Sequence, residues 1–306
     1  MTRWSILALP AALAAQVTLG GSHTGFVFDE LRHEIRPVIG EPGAAYLGAA
    51  VVLPFRPEQV WIRNGGAAAI AIAKNEEGAA EAWRIGGLKS GALETVRLAS
   101  AESAWVSTDG NLALLASEGH VRLVSGSIVG DPVPRDSLPG PLGAVAFQPE
   151  PECAILATAN EEHTAIVHLC AGAPAEPRVE RYLEPTVPTA MTRAFGVLWI
   201  ADRASSRLLR VGESVDTAAE GLDDAAGIQA VSRSELAIAH RGGIAVVDTA
   251  NGSAASIDLP LTPDRLEYLA PGRILVCNRL REDPVLVIDL EQNRETFFIP
   301  LPGGTR

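Results

Sequence analysis

Three arginines recur at a fixed spacing in the second half of the chain. Arg203, Arg241 and Arg279 are separated by two steps of 38 residues, and each follows a polar residue at the end of a short apolar run. A guanidinium group offers bidentate hydrogen bonds to a carboxylate or a phosphate, so three of them on one face could form an anion-binding arc. Salt bridges within the scaffold would use the same positions, and the spacing favours this structural role over ligand binding.

Two of the three cysteines flank a predicted β-hairpin. Cys153 begins one predicted strand and Cys170 ends the next, around a four-residue turn at 160–163. This turn would place the two cysteines directly opposite each other, at a Cα separation of about 4.5 to 5.5 Å that suits a disulfide. A register shift of one residue would instead leave two buried thiols that point apart, and the sequence leaves both states open. Cys277 would then be unpaired and buried.

These residues must be positioned by a repeating scaffold, because six short apolar runs recur along the chain. Their steps are 42, 42, 44, 38 and 38 residues, and the runs are marked by Ile70, Leu112, Ala154, Leu198, Leu236 and Ile274. A period of about 40 residues with several short strands per unit is typical of a β-propeller, in which each blade buries its faces against its neighbours. We therefore predict an all-β fold of four-stranded blades, forming a single domain over residues 15–306.

The strands within the repeats predict how many blades the ring contains. In one unit, residues 103–107, 112–116 and 120–124 form strands, and Asp109-Gly110 marks a hairpin turn between the first two. Near the N-terminus, residues 27–29 and 35–39 repeat the pattern of third and fourth strands, and residues 16–19 could supply the strand before them. This partial unit predicts seven blades, with six blades and an added hairpin as the alternative.

The later repeats resemble two families of propeller repeats. Residues 243–252, with the sequence GIAVVDTANG, and the following IDLP at 257–260 resemble the YVTN family of β-propeller repeats. Residues 197–203 and 207–211 resemble an NHL repeat. Residues 25–48 are similar to the opening stretch of uncharacterised exported bacterial propellers. The resemblance implies a propeller fold, an extracytoplasmic setting, and roles in binding or assembly rather than a particular activity.

No catalytic motif is found along the chain. There is no G-x-S-x-G, G-x-G-x-x-G, Walker, H-E-x-x-H or EF-hand pattern, and the six histidines are dispersed. The sequence thus predicts no catalytic residue and no metal site, and it leaves any cofactor unknown. An enzyme stays open as the alternative, because lactonase-like propellers assemble metal sites in the central funnel from single residues of different blades.

Composition narrows the partners that the protein could bind. The formal net charge is −12 and the pI is near 5.0, so most of the surface would repel a nucleic-acid backbone, and nucleic acid is excluded as a partner. Aromatic residues make up 5% of the chain, which leaves few platforms for stacking sugars or bases. Trp61, Trp105 and Phe147 recur at steps of 44 and 42 residues, and we interpret them as core packing.

The N-terminus predicts export. Arg3 supplies a positive charge, residues 6–15 are apolar, and Ala12-Leu13-Ala14 has the form of an A-x-A cleavage site, so residues 1–14 are interpreted as a signal peptide. No later segment is long enough to cross a membrane. The sequence therefore predicts a periplasmic or extracellular protein that acts as a non-enzymatic scaffold. It also predicts a protein, peptide or cell-envelope partner rather than a small molecule. A hydrolase or lyase is the alternative function.

Overall fold

The structure is a computed structural model that describes residues 23–172, 176–281, 283–291 and 294–301. In these residues 28 strands form seven antiparallel sheets, with two 3₁₀ turns at Asn64–Gly66 and Arg135–Ser137. Strands that follow one another in the chain are neighbours in each sheet, except that β12 pairs with β10 rather than with β11. The sheets are the blades of a β-propeller, so the predicted all-β fold is confirmed, with seven blades rather than six.

The first four blades contain sixteen strands. Blade 1 has three, β1 (His23–Asp29), β2 (Glu34–Ile39) and β3 (Tyr46–Leu47). Blade 2 has β4 (Pro57–Arg63), β5 (Ala68–Lys74), β6 (Ala80–Gly86) and β7 (Glu94–Ser100). Blade 3 has β8 (Ser103–Val106), β9 (Leu112–Ala116), β10 (His120–Ser125), β11 (Ile128–Val129) and the short β12 (Val133–Pro134). Blade 4 has β13 (Leu142–Gln148), β14 (Cys153–Ala159), β15 (Thr164–Cys170) and β16 (Arg178–Leu183).

The last three blades have four strands each. Blade 5 has β17 (Pro188–Ala194), β18 (Val197–Asp202), β19 (Arg207–Val211) and β20 (Val215–Glu220). Blade 6 has β21 (Gly227–Ala230), β22 (Glu235–His240), β23 (Gly243–Asp248) and β24 (Ala254–Ile257). Blade 7 has β25 (Glu267–Ala270), β26 (Ile274–Val276), β27 (Val285–Asp289) and β28 (Glu295–Ile299).

The second strand of blades 2 to 7 is covered on both faces. These strands, β5, β9, β14, β18, β22 and β26, are the six apolar runs of the sequence. In β14, Ile155 and Ala157 pack against blade 5, whereas Ala154 and Leu156 pack against blade 3. A strand with both faces buried needs an unbroken apolar run rather than an alternating one. This burial explains why the runs carry the clearest repeat signal.

Seven hydrophobic clusters within the described residues form the core, one at each contact between neighbouring blades. The cluster between blades 7 and 1 closes the ring, with Val27 and Val38 packed against Leu269 and its neighbours. At the same contact the backbone N–H of Glu30 donates to the carbonyl of Leu280 at 3.0 Å. The ring is therefore held by the same apolar packing at its closure as elsewhere.

Blade 1 corrects one detail of the sequence interpretation. Residues 27–29 and 35–39 are predicted as the third and fourth strands of this blade. In the structure a further strand, β3, follows them and pairs with β2, so residues 35–39 are not the last strand of this blade. The inner strands β4 and β25 of the two flanking blades approach each other in front of β1.

The turn after β1 shows why the sequence pattern misled. Asp29 pairs with Glu34 across this turn as Asp202 pairs with Arg207 after the second strand of blade 5. The carboxylates of Asp29 and Asp202 both accept a backbone N–H from their own turn. An aspartate also ends the third strand of blade 6, at Asp248. An apolar run that ends in aspartate therefore does not distinguish a second strand from a third.

Two predictions fall on the N-terminal segment. The predicted signal peptide at 1–14 and the predicted strand at 16–19 lie outside the described residues. Among the residues that the structure describes, no helix has the length and apolar character needed to span a membrane.

A buried ion-pair cluster joins blades 2 and 7 in front of blade 1. Nη1 of Arg63, at the end of β4, lies 2.9 Å from Oε1 of Glu267 at the start of β25, and Nη2 of Arg265 lies 2.7 Å from Oε2. The three side chains are only 14 to 18% exposed. Burial by itself would raise the pKa of Glu267, but the guanidinium groups of Arg265 and Arg63 outweigh it and lower this pKa to about 2. Glu267 therefore stays ionised and bridges the two blades.

The cysteines of blade 4 are paired. Cys153 lies directly opposite Cys170 in the register that a four-residue turn produces, and the two are joined by a disulfide. Cys277 is a free, buried cysteine, and burial raises the pKa of its thiol to about 12. The disulfide joins β14 and β15 at the end of their hairpin opposite the turn. Cys277 packs as an apolar group between blades 6 and 7.

Thiol counting checks this pairing. The protein purified without reductant and unfolded in guanidinium should react with a thiol reagent at one cysteine per chain, because the disulfide protects the other two, and at three after reduction. Reduction should also lower stability by about 3 kcal/mol, as expected for a loop of this length. Three reactive thiols before reduction would contradict the pairing.

The Glu267 cluster should make stability depend on pH. Glu267→Gln leaves two buried guanidinium groups without a carboxylate, so it should destabilise the protein by about 3 kcal/mol at pH 7. The folded pKa of Glu267, about 2, lies below its ordinary value of 4.5. Its contribution is therefore complete above pH 4.5 and lost as the pH falls towards 2. Melting curves across this range should show the difference between variant and parent shrinking as the solution is acidified.

The matched control is Glu58→Gln, which removes an exposed ion pair with Lys74. This variant should change stability by less than about 0.5 kcal/mol, because exposed pairs are screened by solvent. An equal effect of the two variants, or a Glu267→Gln effect that does not change with pH, would contradict a bridging role for Glu267.

Candidate functional site

A large cavity occupies the central channel of the ring. It has a volume of about 680 Å³ and is lined by the innermost strands β4, β8, β13, β17, β21 and β25. Glu30, Asp264 and Arg279 surround one end, and Thr108 and Asp109 lie at the other. Its volume is within the range of about 300 to 1,000 Å³ that is usual for ligand sites.

One wall of the channel is aromatic. Trp61, Trp105 and Phe147 project from the first strands of blades 2, 3 and 4, and Met191 continues this wall in blade 5. The three aromatic side chains are half-buried, because each packs partly against an inter-blade cluster and partly faces the channel. Their regular spacing, interpreted as core packing, therefore also produces an aromatic surface that a ligand can contact.

The lining also contains apolar residues such as Val60 and Ile228 and a set of polar side chains. Gln59, Ser103, Thr189 and Gln229 line the channel beside the Arg265 cluster. Nε of Arg265 and Oγ1 of Thr189 are buried and have no hydrogen-bond partner within the described part of the chain. Buried polar atoms are normally paired, so these two are available to a bound group or to water. Thr189 and Gln229 lie on blades 5 and 6, across the channel from the aromatic rings, whereas Gln59 and Ser103 lie on the same strands as Trp61 and Trp105.

The carboxylates at the channel are held by neighbouring groups. Glu267 is bound by Arg63 and Arg265, and a carboxylate whose pKa is about 2 is a poor proton acceptor in catalysis. At one mouth Glu30 lies 2.7 Å from Nε of Arg281 and 3.4 Å from Nη1 of Arg279. These acids are neutralised by guanidinium groups rather than gathered towards one another.

Asp109 at the other mouth is held by hydrogen bonds. Burial alone would raise the pKa of this carboxyl, but hydrogen bonds from Ser107 and Asn111 outweigh burial and lower it. Its oxygens accept from the Ser107 hydroxyl and from the backbone and side chain of Asn111. Asp109 therefore builds the turn between the first two strands of blade 3, as its place in an Asp-Gly turn predicts.

The three predicted arginines lie at equivalent positions after the second strands of blades 5, 6 and 7. Arg279 lines the channel, whereas Arg203 and Arg241 are exposed and are not among the residues that line it. Arg241 pairs with Asp224, and Arg279 lies 3.8 Å from Asp264. These contacts favour the structural role, and the anion-binding arc stays a prediction.

Sequence inspection missed the polar part of the channel. Gln59, Thr189, Gln229 and Glu267 belong to first strands, and no polar residue type recurs among them at a fixed spacing. The sequence offered one usable indication, namely that these residues lie in first strands, because the first strand of each of blades 2 to 7 borders the channel. One further cluster was missed in blade 4, where Cys153, His168 and Cys170 come together. Among the described residues, it is the one group of three His, Cys, Asp or Glu side chains whose possible metal-binding atoms all lie within 4.8 Å of one another.

Comparisons with known proteins show which solved structures share the fold of this chain. No family model and no curated protein sequence matches the chain. A functionally unknown protein from Desulfotomaculum acetoxidans is 11% identical, with a TM-score of 0.62 over 87% of this chain and 93% of that chain. A proposed 6-phosphogluconolactonase from Bacteroides uniformis is 16% identical, with a TM-score of 0.61 over 90% of this chain and 96% of that chain. Apo AztD from Citrobacter koseri is 13% identical, with a TM-score of 0.52 over 90% of this chain and 83% of that chain. At these identities the chain shares the β-propeller fold of these proteins, and no more follows.

Proposed function

We propose that this protein is an exported, non-enzymatic binding scaffold whose central channel receives a peptide segment of a protein or cell-envelope partner. The observation that carries the proposal is the two-sided lining of the channel. Aromatic rings of blades 2 to 4 face amide, hydroxyl and guanidinium groups of blades 5 to 7. Peptides offer both apolar side chains and backbone amides, so they match both walls.

The charge arrangement supports binding over catalysis. The channel carboxylates Glu267 and Glu30 are each paired with two guanidinium groups. A funnel that hydrolyses its ligand with a metal ion would need several oxygen or nitrogen ligands directed at one point. The adjacent acids Asp223 and Asp224, which are not among the residues that line the channel, are hydrogen-bonded to Ser206 and Arg241 respectively.

A lactonase is the second candidate. One structural neighbour is named as a proposed 6-phosphogluconolactonase, and the unpaired Nε of Arg265 is a group that could receive an oxyanion. This candidate predicts turnover of a sugar lactone, whereas the scaffold predicts binding without turnover. The two functions are therefore separated by one set of assays.

The scaffold is tested with a panel of defined tripeptides and cell-wall peptides, read by thermal shift and tryptophan fluorescence. A bound peptide at 100 times its Kd should stabilise the fold by about 2.7 kcal/mol. It should also change the emission of Trp61 and Trp105, which face the channel. Trp105→Leu should weaken binding about tenfold, because an aromatic anchor is worth more than about 1 kcal/mol.

The matched control is Trp83→Leu. Trp83 stacks on Phe55 and is not among the residues that line the channel, so its loss should leave peptide affinity unchanged. Gluconolactone and 6-phosphogluconolactone, with and without divalent cations, complete the panel. Lactone hydrolysis that depends on Arg265 would overturn the proposal in favour of the enzyme. Equal loss of peptide affinity in both tryptophan variants would place binding elsewhere.

A further inference from the structure

We propose that Cys153, His168 and Cys170 form a zinc site that opens when the disulfide between the two cysteines is reduced. The site lies in blade 4, and its three residues are not among those that line the central channel. It is therefore independent of the proposed function.

Strand geometry brings the three side chains together. Cys170 lies opposite Cys153 in the register of β14 and β15, and His168 precedes Cys170 by two residues. Side chains two residues apart on a strand share a face, so the imidazole lies beside the sulfurs. The two sulfur atoms and a ring nitrogen all lie within 4.8 Å of one another. Tetrahedral zinc, with Zn–S near 2.3 Å and Zn–N near 2.0 Å, needs ligand atoms roughly 3.5 Å apart.

The donor set selects the metal. Two thiolates and one imidazole are soft to borderline ligands, which favour zinc over calcium or magnesium. Three protein ligands leave the fourth position for water, as in open zinc sites. Hard cations such as calcium and magnesium prefer oxygen ligands and are not expected to bind this set.

A carboxylate orients the histidine. Nε2 of His168 lies 2.5 Å from Oε2 of Glu180 on the neighbouring strand β16. A ligating imidazole commonly places its second nitrogen on a carboxylate, which fixes the ring and strengthens its lone pair. With Glu180 at Nε2, the second ring nitrogen is the one left to bind the metal. Glu180 is therefore a positioning residue.

The cluster is open to solution. A surface cavity of about 570 Å³ is lined by Cys153, His168 and Cys170 together with charged residues of the same blade. Those charged residues are Glu176, Arg178 and Glu180. Cys153 is buried and Cys170 is half-buried, so a small dithiol or a hydrated metal ion would approach the pair through this cavity from the side of Cys170. Cys277, in contrast, is enclosed between blades 6 and 7 and has no such access.

Redox state controls the site. In the disulfide each sulfur is bonded to the other, so neither is a thiolate. A dithiol reductant transfers two electrons and two protons, which breaks the S–S bond, gives two thiols and leaves the reductant as its own disulfide. Zinc then binds both sulfurs and the imidazole and releases the two thiol protons.

Zinc and cobalt binding test the site in the whole protein. Equilibrium dialysis should find about one zinc per chain after reduction by a phosphine and none before it. Cobalt should give thiolate-to-metal charge transfer only in the reduced protein. Glu180→Gln should weaken zinc binding 10- to 100-fold without changing the stoichiometry. His168→Ala should weaken it further and shift the cobalt spectrum.

The matched control is Cys277→Ser, which should leave both stoichiometry and spectrum unchanged. Circular dichroism follows the fold, and zinc should raise the melting temperature of the reduced protein but not of the oxidised protein. Zinc bound equally by reduced parent and His168→Ala would overturn the site. Zinc binding by the oxidised protein would also overturn the site. The same holds if the reduced protein stays unfolded, or binds no zinc, when zinc is present.

Discussion

The contact between blade 7 and blades 1 and 2 holds the whole ring together. A blade of this fold cannot bury both faces alone, so every blade depends on two neighbours and the first and last must meet. Here Val27 and Val38 of blade 1 pack into the cluster of blade 7. In front of them the carboxylate of Glu267 bridges Arg63 and Arg265, because β4 and β25 approach each other in front of β1. Apolar packing and one buried ion-pair cluster thus close the circle together.

Closure also determines what the channel can do. The inner strands of six blades line the channel, so their side chains converge there although they are about 40 residues apart in the chain. Glu267 is held by the closure itself, and its low pKa removes it as a base. What remains is an aromatic wall at Trp61 and Trp105 opposite hydrogen-bonding groups such as Gln229. That combination is the basis of the proposed scaffold role.

Blade 4 illustrates how one hairpin register can create two chemical states. The pairing that places Cys153 opposite Cys170 also places His168 on the same face, next to the sulfurs. In the oxidised state the disulfide joins the two strands of the hairpin. Reduced, the same atoms have the number and kind of donors that zinc requires. Cys277 differs because burial between two blades raises its pKa to about 12 and keeps it an inert thiol.

The amino-acid sequence predicted the repeat and the second strands of blades 2 to 7, because strands buried on both faces must be continuously apolar wherever they occur. It favoured seven blades and left six as the alternative, and the closed ring of the structure confirmed seven. It also determined that Cys153 could oppose Cys170, since a turn length sets the register of a hairpin. It misassigned the strands of blade 1, because an aspartate ends second and third strands alike, as at Asp202 and Asp248. Only the tertiary structure decided which first-strand residues share the channel and that Arg63 meets Glu267. Those contacts join distant blades, and no local pattern records which side chains face each other across a ring.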